Sequence, residues 1–229
     1  MAPYFLPHHV HFCIRNDSVI FLDVRRDDYT LIEGMTSLAF RRLCLPCTET
    51  GDERPSMEAL QELVREGLLT DNPHEGKAIA PTSTEIATVP LVDSEDVLRA
   101  QINGRHSTLF LVACIATSLS LRLRPLEQIV ASLRRERERA GSHQRLDQER
   151  ARTLTAVFHK LRSLYPRNYL CLFDSLALLR FLAFYRVFPD WVFGARLEPW
   201  AAHCWVQHED LLFNEDPEIA AAYTPVMAI

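Results

Sequence analysis

Three groups of residues in the last quarter of the chain have types and spacing suited to acyl chemistry. Cys171 begins a strongly apolar stretch with helical spacing, and the first turn of a helix stabilises a thiolate through its dipole and free N–H groups. His203 follows 32 residues later, in a stretch that alternates like a β-strand. The acidic pair Glu215-Asp216 comes next. Cysteine, histidine and carboxylate in this order indicate a nucleophile–base–acid triad.

The predicted elements would bring these residues together. A turn at Glu209-Asp210 makes the last two strands a hairpin, so the chain returns beside His203. A carboxylate at that point can fix the imidazole tautomer and stabilise its charged form. A simpler interpretation stays open, because an isolated cysteine in an apolar helix is usually a small buried hydrophobic residue. The predicted elements are a helix at 170–187 and strands at 191–197, 203–207 and 211–213.

Composition restricts the function classes. The chain has 229 residues, 48% hydrophobic residues and a net charge of -5, so it suits one large or two small domains and not a general nucleic-acid binder. Residues 1–100 hold 17 acidic and 9 basic residues, and the remainder holds 13 and 16, which suggests two units. Seven glycines leave little room for a phosphate-binding loop, and no cofactor is predicted.

No targeting segment is predicted. The first residues lack the basic and apolar regions of a secretory signal. The apolar run Thr108 to Leu121 is shorter than the roughly 20 residues that a bilayer span needs, so it predicts a buried helix. Six cysteines in a chain of this length do not form a disulfide framework. The chain is therefore predicted to be cytoplasmic and without membrane contact.

A CxxC at Cys44 and Cys47 has the spacing of redox pairs and zinc half-sites. There is no second CxxC, and the chain around the motif is not thioredoxin-like. We predict incidental cysteines at a helix end and no metal site.

The first third of the chain has the pattern of a small β-plus-α unit, and helices dominate the middle. The predicted class is therefore α+β, with a domain at 1–75, a linker at 76–94 and a second domain with leading helices at 95–229. The predicted elements of the first unit are strands at 9–15, 18–23 and 29–32, a helix from Thr36 or Ser37 to Leu45, and a helix after Ser56 that ends at Gly67.

Four blocks in the last 85 residues resemble the C-terminal domain of lasso-peptide biosynthesis B proteins. Those proteins are transglutaminase-like cysteine peptidases that remove the leader from a ribosomally made precursor. The resemblance implies a papain/transglutaminase-like core in which the helix of the nucleophile Cys171 packs on an antiparallel sheet and His203 is the base. The blocks are Cys171-Leu172-Phe173-Asp174-Ser175-Leu176-Ala177-Leu178, Val192-Phe193-Gly194-Ala195-Arg196, Ala202-His203-Cys204-Trp205-Val206-Gln207 and Phe213-Asn214-Glu215-Asp216-Pro217.

Two departures from the family pattern matter. Glu215 aligns with the family's acid, whereas Asp216 has the side-chain length that the family uses, so the triad acid stays open between them. Gln207 stands where the family usually has glutamate. Cys204 is expected to point away from the face that carries His203, because alternate strand residues face opposite sides.

The resemblance also implies that the N-terminal domain is a winged-helix-like three-strand peptide-recognition domain. In that family the leader adds a strand beside the third strand and packs on a neighbouring helix, here Met57 to Leu68. The alternative is an ordinary α+β module that binds nothing. The residues predicted to bind the leader are Tyr29, Thr30, Leu31, Ile32, Leu60, Leu63 and Val64.

The implied partners are the leader of the precursor peptide and an ATP-dependent, asparagine-synthetase-like lasso cyclase. The implied activity is cleavage at the leader–core junction, which frees the core amine for macrolactam formation. Three alternatives stay open: an acyltransferase on the same core, a non-catalytic leader-binding chaperone, and a redox protein that uses Cys44 and Cys47.

Overall fold

The computed structural model describes residues 4–44, 56–141 and 146–229. The chain divides into two compact units, Met1–Ser83 and Thr84–Ile229, and this division falls inside the predicted linker. We call them unit 1 and unit 2.

Unit 1 is a three-stranded antiparallel meander covered by helices. Its strands run in the order β2-β3-β4, and the central strand is buried along its whole length. The Phe40 ring packs edge to face on Phe12 at 4.9 Å and on Phe21 at 4.8 Å, which joins the sheet to α1. The elements are β1 Leu6–Pro7, β2 Val10–Arg15, β3 Ser18–Asp23, β4 Asp28–Ile32, α1 Gly34–Cys44, α2 Met57–Arg65 and β5 Gly76–Lys77.

The local sequence explains where these elements begin and end. Asn16 and Asp27, two residue types that tolerate the left-handed region, have φ of 55° in the tight turns between strands. The Ser56 side chain accepts a hydrogen bond from Ala59 N and caps α2. Each of the three predicted strands lies within one residue of its expected position.

Unit 2 is a helical layer on a five-stranded sheet in the order β10-β7-β8-β9-β6. All neighbours are antiparallel except β6 and β9. Helix α7 packs on β8 and is flanked by α4 and α6. The elements are β6 Val89–Pro90, α3 Ser94–Arg99, α4 Gly104–Leu123, α5 Leu126–Ala140, α6 Gln148–Ser163, α7 Cys171–Ala183, β7 Asp190–Arg196, β8 Ala201–His208, β9 Leu211–Leu212, α8 Pro217–Ala221 and β10 Thr224–Ala228.

No predicted element covers the residues of β10. Pro225 interrupts this five-residue run, and proline is tolerated in a sheet only at an edge or a bulge. The strand does lie at the edge of the sheet, and its register shifts between Pro225 and Met227.

Helix α4 differs from the buried helix that was expected. One stripe is buried, including Phe110 and Cys114, whereas Leu111, Ile115 and Leu119 on the other side are about half exposed. Of the helices in the described ranges, α4 is the one long and apolar enough to cross a bilayer by length and composition, and 22% of its most apolar window is buried.

Candidate active site

Cys171 is the first residue of α7 and is half-buried. The helix has no side-chain cap at Leu170. Instead, the Asp174 carboxylate accepts a hydrogen bond from the backbone N–H of Leu170 at 2.6 Å, which closes the first turn. Cys171 therefore lies in the first turn of α7, where the free N–H groups of the helix favour negative charge.

A buried arginine fixes the loop that leads into this helix. Arg162 on α6 is 1% exposed, and its Nε donates to the Asp174 carboxylate. Its other nitrogens donate to the carbonyl oxygens of Arg167 at 3.1 Å and Asn168 at 3.0 Å. These bonds tie α6, the loop and the first turn of α7 together, and so they fix the position of Cys171. Removing either partner of this buried ion pair would leave an uncompensated charge. Arg162 is not among the predicted site residues, because an arginine in a charged helix normally faces solvent.

His203 lies on β8 with its ring against Tyr223 at 5.1 Å and Trp205 at 6.1 Å. Its Nε2 is hydrogen-bonded to the Glu215 carboxylate, so Nδ1 is left for the Cys171 sulfur, which is also hydrogen-bonded to His203. The residue opposite His203 in the sheet is Gly194. A Cβ there would come within 2.8 Å of the Trp205 ring and 3.0 Å of Tyr223 Cβ, so glycine allows the rings that support the imidazole to pack.

The structure separates the roles of the two acids. Glu215 contacts His203 through Oε2, while its Oε1 accepts from the Asp216 backbone N–H at 2.9 Å. Asp216 is the N-cap of α8, and its carboxylate accepts from Glu218 N at 2.8 Å. The carboxylate beside the imidazole is therefore that of Glu215, and the carboxylate of Asp216 is used in capping.

Cys171 and His203 form a thiolate–imidazolium ion pair near neutral pH. A hydrogen bond from the Cys204 thiol is the largest influence on the pKa of Cys171, and with hydrogen bonds from His203 and the Cys204 backbone N–H it overcomes burial and lowers that pKa to about 4. Burial lowers the pKa of His203, but hydrogen bonds to Cys171 and Glu215 outweigh burial and raise that pKa to about 9. Thiolate and imidazolium therefore coexist between these values, which belong to the pair as a whole.

This pair predicts a bell-shaped pH dependence of kcat/KM for any acyl-transfer substrate. Below about pH 4 the thiolate is protonated, and above about pH 9 the imidazolium loses the proton that a leaving group needs. The acid limb can be measured separately from the pH dependence of iodoacetamide alkylation at Cys171. A single limb near the ordinary cysteine pKa of about 8.5 would contradict the ion pair.

The leader-binding residues predicted in unit 1 fall into two groups. Ile32, Leu60 and Leu63 are core residues, the two leucines being fully buried, so their side chains are not available to a peptide. Val64 lines a cleft of about 620 Å³. Tyr29, Thr30 and Leu31 lie on β4, which pairs with β3 and with no other strand in the described part of the chain.

Gln207 is buried, and both the oxygen and the nitrogen of its side-chain amide are hydrogen-bonded. Its Oε1 accepts from Trp205 Nε1 at 2.7 Å, and its Nε2 donates to Glu85 O at 2.7 Å. Here the amide uses both its donor and its acceptor, which a carboxylate cannot do.

The CxxC has only one member in the described ranges. Cys44 is half-buried at the end of α1, and Cys47 lies outside the described residues. Within those residues, no group of three or more His, Cys, Asp or Glu is placed to hold a metal ion.

A thiolate at the start of a buried helix, with an imidazolium and a carboxylate on the adjoining sheet, is an arrangement for acyl transfer through a thioester. The chain belongs to the transglutaminase-like superfamily, whose family model matches residues 112–228. The superfamily includes cysteine peptidases and acyltransferases. No curated protein and no solved structure matches the chain. The predicted transglutaminase-like core is thereby confirmed.

Proposed function

We propose that this protein is a cysteine peptidase that binds the leader of a ribosomally made lasso-peptide precursor and cleaves it at the leader–core junction. The observation that carries the proposal is the Cys171–His203–Glu215 arrangement, in a chain that also has a separate compact unit whose strand β4 pairs, among the described residues, with β3 alone. The resemblance of four sequence blocks to the lasso-peptide B proteins supports the choice of substrate.

The geometry supports a two-step mechanism. The Cys171 thiolate attacks the carbonyl carbon of the scissile bond, and the oxyanion faces the N-terminal turn of α7. His203 gives its proton to the leaving amine, which is the core peptide, and the leader remains as a thioester on Cys171. His203 then takes a proton from water, the hydroxide cleaves the thioester, and the leader leaves as a carboxylate. Glu215 holds the imidazole in orientation throughout.

Unit 1 supplies substrate binding in this proposal. A leader in extended conformation would add a strand beside β4, next to Leu31, which is 40% exposed. We interpret unit 1 as a winged-helix-like recognition domain on this basis. Holding the leader there keeps the scissile bond near Cys171 at high effective concentration.

The core amine released by this cleavage is the nucleophile that a macrolactam requires. We therefore propose an ATP-dependent, asparagine-synthetase-like cyclase as the partner that consumes the product, and the cytoplasm as the compartment. The reaction itself needs no cofactor, because thiolate, imidazolium and water supply every group.

The test is a mass spectrum of the precursor peptide after incubation with the wild-type protein and with Cys171→Ala, each with and without the cyclase. We expect one cut at the leader–core junction, with a loss of about a thousandfold or more in rate for Cys171→Ala. An adduct that joins the leader to an amine would instead identify an acyltransferase. Tight leader binding without a cut in any mixture would identify a leader-binding chaperone.

A further inference from the structure

Arg196 lies on the face of the sheet that carries His203. In the pairing of β7 with β8, Gly194 is opposite His203 and Arg196 is opposite Ala201. Side chains of residues opposite each other, and of residues two apart on one strand, lie on the same face. Arg196 is therefore a diagonal neighbour of His203. Such neighbours are about 7–8 Å apart, which a long side chain can span.

One aromatic ring supports both side chains. The centre of the Tyr223 ring lies 5.1 Å from that of His203 and 5.1 Å from Cζ of Arg196, which is over the ring. Tyr223 is 8% exposed, so core packing holds this ring in place. A guanidinium over a ring is bound through its flat face, and the N–H groups around its edge stay free to donate.

The described chain does not use these donors. Nε of Arg196 is buried and has no hydrogen-bond partner among the described residues, and no carboxylate in those ranges forms an ion pair with the guanidinium. Glu198, two residues further along the chain, is exposed. Taking a donor out of water without a partner costs free energy, so an anionic ligand at this place would stabilise Arg196.

We propose that Arg196 is a substrate-binding residue that recognises a carboxylate of the peptide substrate. This inference deepens the proposed function, and it rests on that function for the identity of the substrate. A planar guanidinium with free edge donors matches a carboxylate, which it binds through two parallel hydrogen bonds. A charged carboxylate is favoured over a neutral backbone carbonyl, because the guanidinium has no counter-ion among the described residues.

The register of the strands limits where this carboxylate lies in the substrate. The scissile carbonyl must lie beside Cys171 and His203, and Arg196 begins about 7–8 Å from His203 along the sheet. An extended peptide advances about 3.3–3.6 Å per residue. The carboxylate therefore belongs to an aspartate or glutamate within about three residues of the scissile bond, and Arg196 selects for bonds that have such a neighbour.

The experiment uses affinity labels that differ in one carboxylate. Chloroacetyl peptides place the peptide on the leaving-group side of Cys171, and peptidyl chloromethyl ketones place it on the acyl side. Both series carry Asp or Asn at each position up to about three residues from the reactive carbon. The rate of Cys171 alkylation in the full chain is measured by mass spectrometry with peptide mapping. At one position we expect the Asp label to react about tenfold faster than its Asn counterpart, the size of a hydrogen bond between charged groups.

Three variants test whether Arg196 causes this preference. Arg196→Gln should abolish it, and Arg196→Lys should keep part of it, because lysine retains the charge without the planar fork. Both labels attack the same sulfur, so the ratio of their rates does not depend on the reactivity of Cys171. Arg122→Gln is the matched control, since it removes the same charge from an exposed position near the end of α4, and it should keep the wild-type ratio.

Equal rates for the Asp and Asn labels at every position in the wild-type protein would overturn the proposal. A preference that survives in Arg196→Gln, or that disappears in Arg122→Gln, would also overturn it. The labels need neither a precursor nor a cleavage step. An uncut precursor alongside a carboxylate preference that depends on Arg196 would therefore count against the peptidase function alone, and a cut precursor alongside equal label rates would count against the carboxylate site alone.

Discussion

Replacing Glu215 with glutamine should lower kcat/KM for precursor cleavage by about a hundredfold to ten-thousandfold, the range that loss of an orienting carboxylate produces in other triads. The carboxylate accepts from His203 Nε2 and keeps the other ring nitrogen directed at Cys171. A neutral amide no longer stabilises the imidazolium, so the alkaline limb of the pH profile should also move to lower pH. Initial rates measured by mass spectrometry across that pH range report both effects.

Asp216→Asn is the matched control for this prediction. Asparagine caps helices about as well as aspartate, so α8 should keep its start and cleavage should change by no more than about threefold, within the few tenths of a kcal/mol of such an exchange. A larger loss in Asp216→Asn than in Glu215→Gln would show that Asp216, and not Glu215, is the triad acid.

Removing residues 1–83, which form unit 1, should raise KM for the precursor about a hundredfold or more, while kcat at saturation changes little. The reason is that the leader would no longer be held near the site, and a tethered substrate is present at an effective concentration of roughly millimolar. Alkylation of Cys171 at low pH serves as the control that unit 2 has kept its site. Equal KM values for the truncated and full chains would refute leader binding by unit 1.

A pair of point variants tests the same idea without a truncation. Leu31 on β4 and Leu38 on α1 are 40% and 37% exposed, so each tolerates a charge at similar cost to folding. Leu31→Asp should weaken leader binding about tenfold, or 1.4 kcal/mol, because it places a charge at the strand edge. Leu38→Asp should bind the leader like wild type, as measured by fluorescence anisotropy of a labelled leader peptide.

The sequence pattern placed Cys171 at the start of a helix and His203 on a strand, and the resemblance of four blocks to a known family singled them out as nucleophile and base. The sequence did not determine which of the two carboxylates is the triad acid. Glu215 and Asp216 differ by one position in the chain, and the choice depends on which of them begins α8, a matter of loop geometry that no periodicity encodes.

Cys204 shows a different limit. Strand alternation places it opposite to the face of His203, and its burial beside Trp191 and Ser175 agrees with that. Hydrogen bonds from both His203 and Cys204 nevertheless lower the pKa of Cys171, so residues from both faces of β8 influence the nucleophile. The alternation of side chains along a strand does not show which residues of other elements lie close to them.

The predicted leader contacts on α2 illustrate a third limit. The apolar stripe of that helix includes Leu60 and Leu63, and the stripe packs into the core of its own unit. An amphipathic pattern identifies a face that will be buried, but it does not say whether the partner is the same chain or another.

The hydrogen bond between the first residues of unit 2 and β8 has a kinetic consequence. The first residues of unit 2 are hydrogen-bonded to the strand that carries His203, through Glu85 and Gln207, which are 122 residues apart in the chain. Closing so long a loop costs conformational entropy before the sheet contributes any stabilising contact. Non-local pairing of this kind slows folding. The helices between them can form early and locally. The catalytic sheet is therefore expected to be completed late, and the nucleophile acquires its reactivity only in the last stage of folding.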